Sequence, residues 1–109
     1  MAEFISLIHL IQNPKDFDGK IVRVVGFASI KFETRAIYIA EEGYRNAVTK
    51  NGVWLQFEVN DENIKLHEKY VLVEGLFDAG SFGHLKMFSG TIKEIARLEL
   101  WSDPKKLPK

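Results

Sequence analysis

Apolar and polar positions alternate along several stretches of this chain and follow a longer period in one. Val22, Val24, Gly26, Ala28 and Ile30 share one side of an extended segment; Ile21, Arg23, Val25, Phe27 and Ser29 share the other. Side chains of a strand alternate between faces, so a strand is predicted from about Lys20 to Phe32, entered from an Asp18-Gly19 turn. Both sides are partly apolar in the first half, which suits a strand covered on both faces. Gly26 interrupts the middle, and a lone glycine in a strand marks a bulge or a bend. A second strand is predicted over Ala36–Ala40. The third alternates cleanly, with Val53, Leu55, Phe57 and Val59 inward and Trp54, Gln56 and Glu58 outward. The fourth spans Tyr70–Phe77, with Val71, Val73, Gly75 and Phe77 on one face. The fifth is predicted to begin near His84, to pass through Met87 and Phe88, and to resume after Gly90 as a limb from Thr91 to Leu100.

The longer period lies at the start. Phe4, Leu7, Ile8 and Ile11 fall at i, i+3, i+4 and i+7, the stripe of a helix spanning about residues 3–13. Pro14 drives Asn13 out of the helical region and ends it. The connections are polar. Residues 41–52 close on an Asn51-Gly52 turn signal, and residues 78–83 form a loop with two glycines. Residues 60–69 offer only Ile64 and Leu66 as anchors, so a brief helical turn is predicted there, leaving the N-terminal helix to plug the fold.

A long first strand, bent at its centre, can serve two sheet directions; four more strands follow it. The pattern predicts a mainly β chain, a five-stranded OB-like barrel with a short N-terminal helix. Residues 1–101 read as a single domain and 102–109, with two prolines and three lysines, as a flexible tail.

Composition narrows the chemistry. At 109 residues and 46% apolar, the chain suits one packed domain. It has no cysteine, which excludes a disulfide framework or a thiolate metal site and fits a reducing compartment. No basic segment leads into an apolar run with a cleavage site, and Phe4 to Ile11 is too short to span a bilayer. A soluble, cytoplasmic protein without membrane association is predicted. Fifteen basic residues balance fifteen acidic ones; three of the former and one of the latter lie in residues 103–109, so the rest carries 12 against 14, a net charge of −2. A surface that grips nucleic-acid phosphates is normally positive, so this balance disfavours nucleic acid.

No constellation for catalysis emerges. His9, His67 and His84 are far apart in sequence and none forms an i, i+4 metal pair, so neither metal nor cofactor is implied. None of Ser6, Ser29, Ser81, Ser89 and Ser102 sits in a Gly-x-Ser-x-Gly elbow. Glu41-Glu42 and Asp61-Glu62 read as solvated loop charge or as an acidic patch for a basic partner. Gly80-Ser81-Phe82-Gly83 lacks the Gly-Lys-Ser/Thr of a phosphate cradle and reads as a hairpin. The aromatics are less settled. Trp54 and Tyr38 point outward, where they would stack bases, anchor a protein interface, or lie covered by the N-terminal helix or a loop.

Leu7-Ile8-His9-Leu10-Ile11-Gln12-Asn13-Pro14, Phe17-Asp18-Gly19-Lys20 and Val22-Arg23-Val24-Val25-Gly26 form a helix, an Asn-Pro stop, an aromatic-Asp-Gly-Lys turn and a Val-x-Val-x-Gly strand. Tyr70-Val71-Leu72-Val73-Glu74-Gly75 and Gly83-His84-Leu85 extend the pattern. In these elements the chain resembles a group of small uncharacterised bacterial proteins with OB-like folds. The likeness spans most of residues 6–98 and is mainly structural. Some small bacterial proteins of this size are immunity factors that neutralise a toxin of their own cell, and the resemblance carries that function over as an analogy.

The function predicted is a non-enzymatic protein-binding module, most concretely an immunity protein that binds a cognate toxin domain. Trp54, Tyr44 and Phe82 would be anchors, and Glu41, Glu42 and Asp78 would supply charge complementarity. His84, beside Gly83 in the loop flanking the OB ligand face, would touch the partner directly. The alternative is a single-stranded nucleic-acid binder using the second and third strands.

Overall fold

A computed structural model describes residues 2–83 and 86–102. Among the described residues six strands and three short helices follow one another: β1 (Glu3–Phe4), α1 (Leu7–Gln12), α2 (Pro14–Phe17), β2 (Ile21–Ile30), β3 (Arg35–Tyr38), α3 (Glu41–Arg45), β4 (Gly52–Leu55), β5 (Tyr70–Asp78) and β6 (Thr91–Leu100). Single 3-10 turns cover Thr49–Asn51 and Asn63–Leu66.

Strands β2 to β6 close a five-stranded mixed barrel of OB-like topology, in the order β2-β3-β4-β6-β5 and back to β2. The ladder β4–β6 is parallel; the other four are antiparallel. β2 is long because it has two partners within the barrel. Ile21–Phe27 pairs with β5, and Phe27–Ile30 pairs with β3. Gly26 sits beside that handover. Pairing runs through it without a bulge, and its missing side chain serves close approach instead. A Cβ there would lie 2.9 Å from the Tyr38 carbonyl and 3.1 Å from Leu7. The register shift falls in β6, where Glu74 and Leu76 of β5 oppose Arg97 and Lys93, and Glu94 has a positive φ of 50°.

Val22, Val24, Ala28, Ile30, Ile37, Val53, Leu55, Val71, Val73, Phe77 and Ile92 fill the interior. Leu7, Leu10 and Phe17 join the same core, so the N-terminal helical segment plugs the barrel and the Asn63–Leu66 turn contributes Leu66 at its margin.

Several boundaries differ from those predicted. The helix does not begin at residue 3. Glu3 and Phe4 run parallel to Val22 and Arg23 as a strand, and Ser6 then caps α1 by accepting the His9 N–H at 3.0 Å. The period therefore changes at Ser6: Ile5, Leu7 and Leu10 are buried, whereas Phe4 and Ile8 of the predicted stripe are exposed. The third strand stops at Leu55, and Phe57 and Val59 pack on the core as irregular chain. The fifth strand starts at Thr91 rather than near His84, because Gly90 (φ 140°) turns the chain only there; Lys86–Ser89 is loop. The polar connection after β3 contains α3. Residues 103–109, the predicted tail beyond Ser102, lie outside the described residues, as does His84.

Candidate functional site

The outer face of the second and third barrel strands, flanked by the connections after the first and fourth, is where OB folds hold their ligands. Here those strands are β3 and β4. Because Ile37, Val53 and Leu55 point into the barrel, Ala36, Tyr38, Gly52 and Trp54 point out. The chain roofs this face itself. Phe88 lies against Tyr38 and Trp54, with ring centroids 6.1 and 5.5 Å away. Gly52 leaves its seat open, since a Cβ there would stand 3.1 Å from the Phe88 ring. Gly83, at φ 70°, lays its backbone on Trp54.

From the other side α3 brings Tyr44 within 5.8 Å of Tyr38 and 5.4 Å of Phe27, and Phe27 stands 5.2 Å from Tyr70. Trp54, Phe88, Tyr38, Tyr44, Phe27 and Tyr70 thus form a belt of rings outside the barrel. Edge-to-face pairs of this kind add about 0.5–1.5 kcal/mol each beyond area burial. Polar tips are anchored. Tyr44 Oη donates to Glu68 at 2.9 Å, and Tyr70 Oη accepts the Glu41 N–H at 3.3 Å. Burial raises the Tyr38 and Tyr44 phenols above their ordinary range, with Glu68 raising Tyr44 further. The Tyr44 hydroxyl in turn holds the Glu68 carboxyl below its ordinary range.

One edge of the belt is open. The guanidinium of Arg35 lies 5.3 Å over the Trp54 ring and donates to the Phe32 carbonyl at 2.8 Å. Phe32 tips the β2–β3 turn and is 76% exposed. Phe82 and Met87, next in sequence to the Gly83 and Phe88 that cover Trp54, are both exposed. The Phe82 carbonyl accepts the Phe88 N–H at 2.9 Å, tying that segment into a loop. Phe32, Phe82 and Met87 are thus apolar side chains in solvent around a roofed aromatic floor.

Trp54 and Tyr44 of the predicted anchors are brought into one belt, half-buried, with Phe82 at its rim. Trp54 is covered by the β5–β6 loop and Arg35, not by the N-terminal helix. Glu41 and Glu42 occupy the first turn of α3, and Glu41 is paired with Arg45 at 2.7 Å. The Asp78 carboxylate is taken up by the Gly80 N–H at 2.9 Å and by Lys93 at 3.2 Å, which together hold it below its ordinary range. Phe32 escaped the sequence reading, although a phenylalanine in a Lys-Phe-Glu-Thr turn is a legible signal. The pattern predicts a strand through Phe88, and nothing in the sequence shows it folding back over Gly52.

Among the described residues, no three His, Cys, Asp or Glu side chains gather as a metal site, and no helix is long and apolar enough to cross a membrane. A second surface feature lies where β4 ends. A groove of ≈ 500 Å³ opens between residues 57–66 and the second half of β6.

Fold and site together define an OB-like barrel whose usual ligand face is occupied by its own chain. Comparison with protein-family models, with curated proteins and with solved structures gives no match.

Proposed function

We propose that this barrel is a non-enzymatic protein-binding module, most concretely a bacterial immunity protein that binds and neutralises a cognate toxin domain. The observation that supports this reading is the exposed apolar rim of Phe32, Phe82 and Met87 around the Arg35–Trp54 stack. Aromatic side chains, Met and Arg are the residues enriched at protein interfaces. Fifteen basic residues against fifteen acidic ones also suit a protein partner better than a polyanion. Pull-down from a native lysate of the source cell should recover one stoichiometric protein, and the F32S/F82S double variant should lose it while keeping its melting temperature. Equal recovery by both proteins would refute the rim as the interface.

A second reading, single-stranded nucleic-acid binding, has the Arg35 guanidinium over Trp54 in its favour, a cation beside a ring on the OB face. It requires oligonucleotide binding at low salt that weakens as salt rises and is lost in R35A. No binding at low salt removes it.

A further inference from the structure

The barrel closes between β4 and β6 over a short ladder only. Their parallel ladder holds two pairs, Trp54 with Thr91 and Leu55 with Ile92, and the Gln56 N–H to Ile92 carbonyl bond at 2.9 Å is the last backbone bond across it among the described residues. Beyond it the chains diverge. Residues 57–60 turn aside because Asn63 captures the Glu58 carbonyl through its side-chain amide at 2.9 Å, and Asn60 caps Glu62 and Asn63. β6 continues, paired with β5 on one side. The Trp101 N–H bonds the Tyr70 carbonyl, so Arg97, Glu99 and Trp101 address β5. Backbone groups alternate sides along an antiparallel strand, which leaves those of Leu98 and Leu100 facing the gap.

An unpaired strand edge is a template for another strand. The groove beside this one has an apolar floor, with Phe57, Leu66, Ile95 and Leu98 packed on the core. Its border is acidic. Glu58 is exposed and has no ion-pair partner among the described residues, and Glu62 is paired with Lys65 alone among them, at 3.8 Å. Arg97, the cation in the lining, is already engaged by Glu99 at 3.0 Å and Glu74 at 3.9 Å. The surplus charge in the groove is therefore negative.

We infer that this gap accepts an extended peptide segment of alternating apolar and basic residues, which pairs as a strand with the free edge of β6. Apolar side chains would meet the Phe57–Leu98 floor, lysine or arginine would meet Glu58 and Glu62, and the backbone would satisfy Leu98 and Leu100. The site is separate from the rim of Phe32, Phe82 and Met87, so either can fail alone.

The probe is the capped peptide Lys-Val-Lys-Val-Lys, followed by amide chemical shifts of the full chain. Leu98 and Leu100 should shift and gain protection from hydrogen exchange. The capped Glu-Val-Glu-Val-Glu peptide, a backbone N-methylated form of the basic one, and the E58K/E62K variant should each weaken binding by about tenfold or more. Both glutamates are exposed, so an unchanged melting temperature of that variant confirms its fold. No shift at Leu98 and Leu100 up to roughly millimolar peptide, shifts confined to the Phe82–Met87 loop, or indifference to N-methylation would each overturn the inference.

Discussion

The backbone of Gly83 rests on the side chain of Trp54: a Cβ on Gly83 would lie 2.7 Å from Trp54 Cβ and 2.8 Å from the first ring carbon. Gly83 also has a φ of 70°, a conformation that L side chains rarely adopt. Gly83→Ala is therefore expected to lift the loop off Trp54 while leaving the barrel folded. Measured in a W101F background, iodide quenching of Trp54 fluorescence should increase; unchanged quenching would show that the loop does not cover the ring.

The plug should be worth as much as the strands it fills. Leu10 is fully buried among the core side chains. Leu10→Ala is expected to cost about 2–5 kcal/mol, the range for a cavity-forming core truncation. Ile8→Ala, one turn position away on the exposed side, should cost far less. Urea denaturation of the two variants checks the difference. Equal losses would mean that Leu10 is no more deeply packed than Ile8.

His67 carries a structural bond of its own. Its Nδ1 accepts the N–H of buried Ile30 at 3.0 Å, beyond the end of the β2–β5 ladder at Phe27. His67→Ala leaves that donor unpaired, which costs about 1–3 kcal/mol. His67→Asn, whose side-chain carbonyl can accept the same bond, should recover part of it. If both variants unfold at the wild-type urea concentration, the bond contributes nothing.

Acid should loosen the molecule at two carboxylates. Glu68 is held low by the Tyr44 hydroxyl, and Asp78 by the Gly80 N–H and then Lys93. A carboxyl whose folded pKa is depressed stabilises the fold above its unfolded value, roughly 4, and that contribution disappears as pH falls through the lower folded value. The sign reverses for Tyr38 and Tyr44, whose folded pKa values are raised. Their contribution is whole below about 10 and is lost as pH rises through the folded value. Tyr44→Phe should flatten the acid limb of a plot of urea midpoint against pH. An unaltered acid limb would separate Glu68 from the stability of the fold.

The barrel was readable because its strands alternate. Val22 to Ile30, Val53 to Leu55 and Val71 to Phe77 each repeat every two residues with the same face in the core. The doubled role of β2 was legible as well, in its length and central glycine. The helix boundary was harder. Phe4, Leu7, Ile8 and Ile11 satisfy a helical period, but Ser6 divides the segment into a strand and a helix, and a period fitted across a junction selects the wrong face. The covered face was out of reach for another reason. Whether Trp54 is bare or roofed depends on where Phe88 and Gly83 arrive from a loop some thirty residues later, and no local pattern encodes that arrival. The groove beside β6 belongs to the same kind, being made by two segments drifting apart.

Leu7 and Leu10 emerge from the ribosome before any of the wall that later surrounds them, and Val73, Phe77 and Ile92 follow more than sixty residues later. A stopper made ahead of its bottle must wait, with its oily side uncovered, until β6 has been synthesised. Contacts of such long sequence separation slow folding, toward milliseconds to seconds for proteins dominated by them. Newly made chains of this protein therefore carry Leu7 and Leu10 uncovered until β5 and β6 have followed.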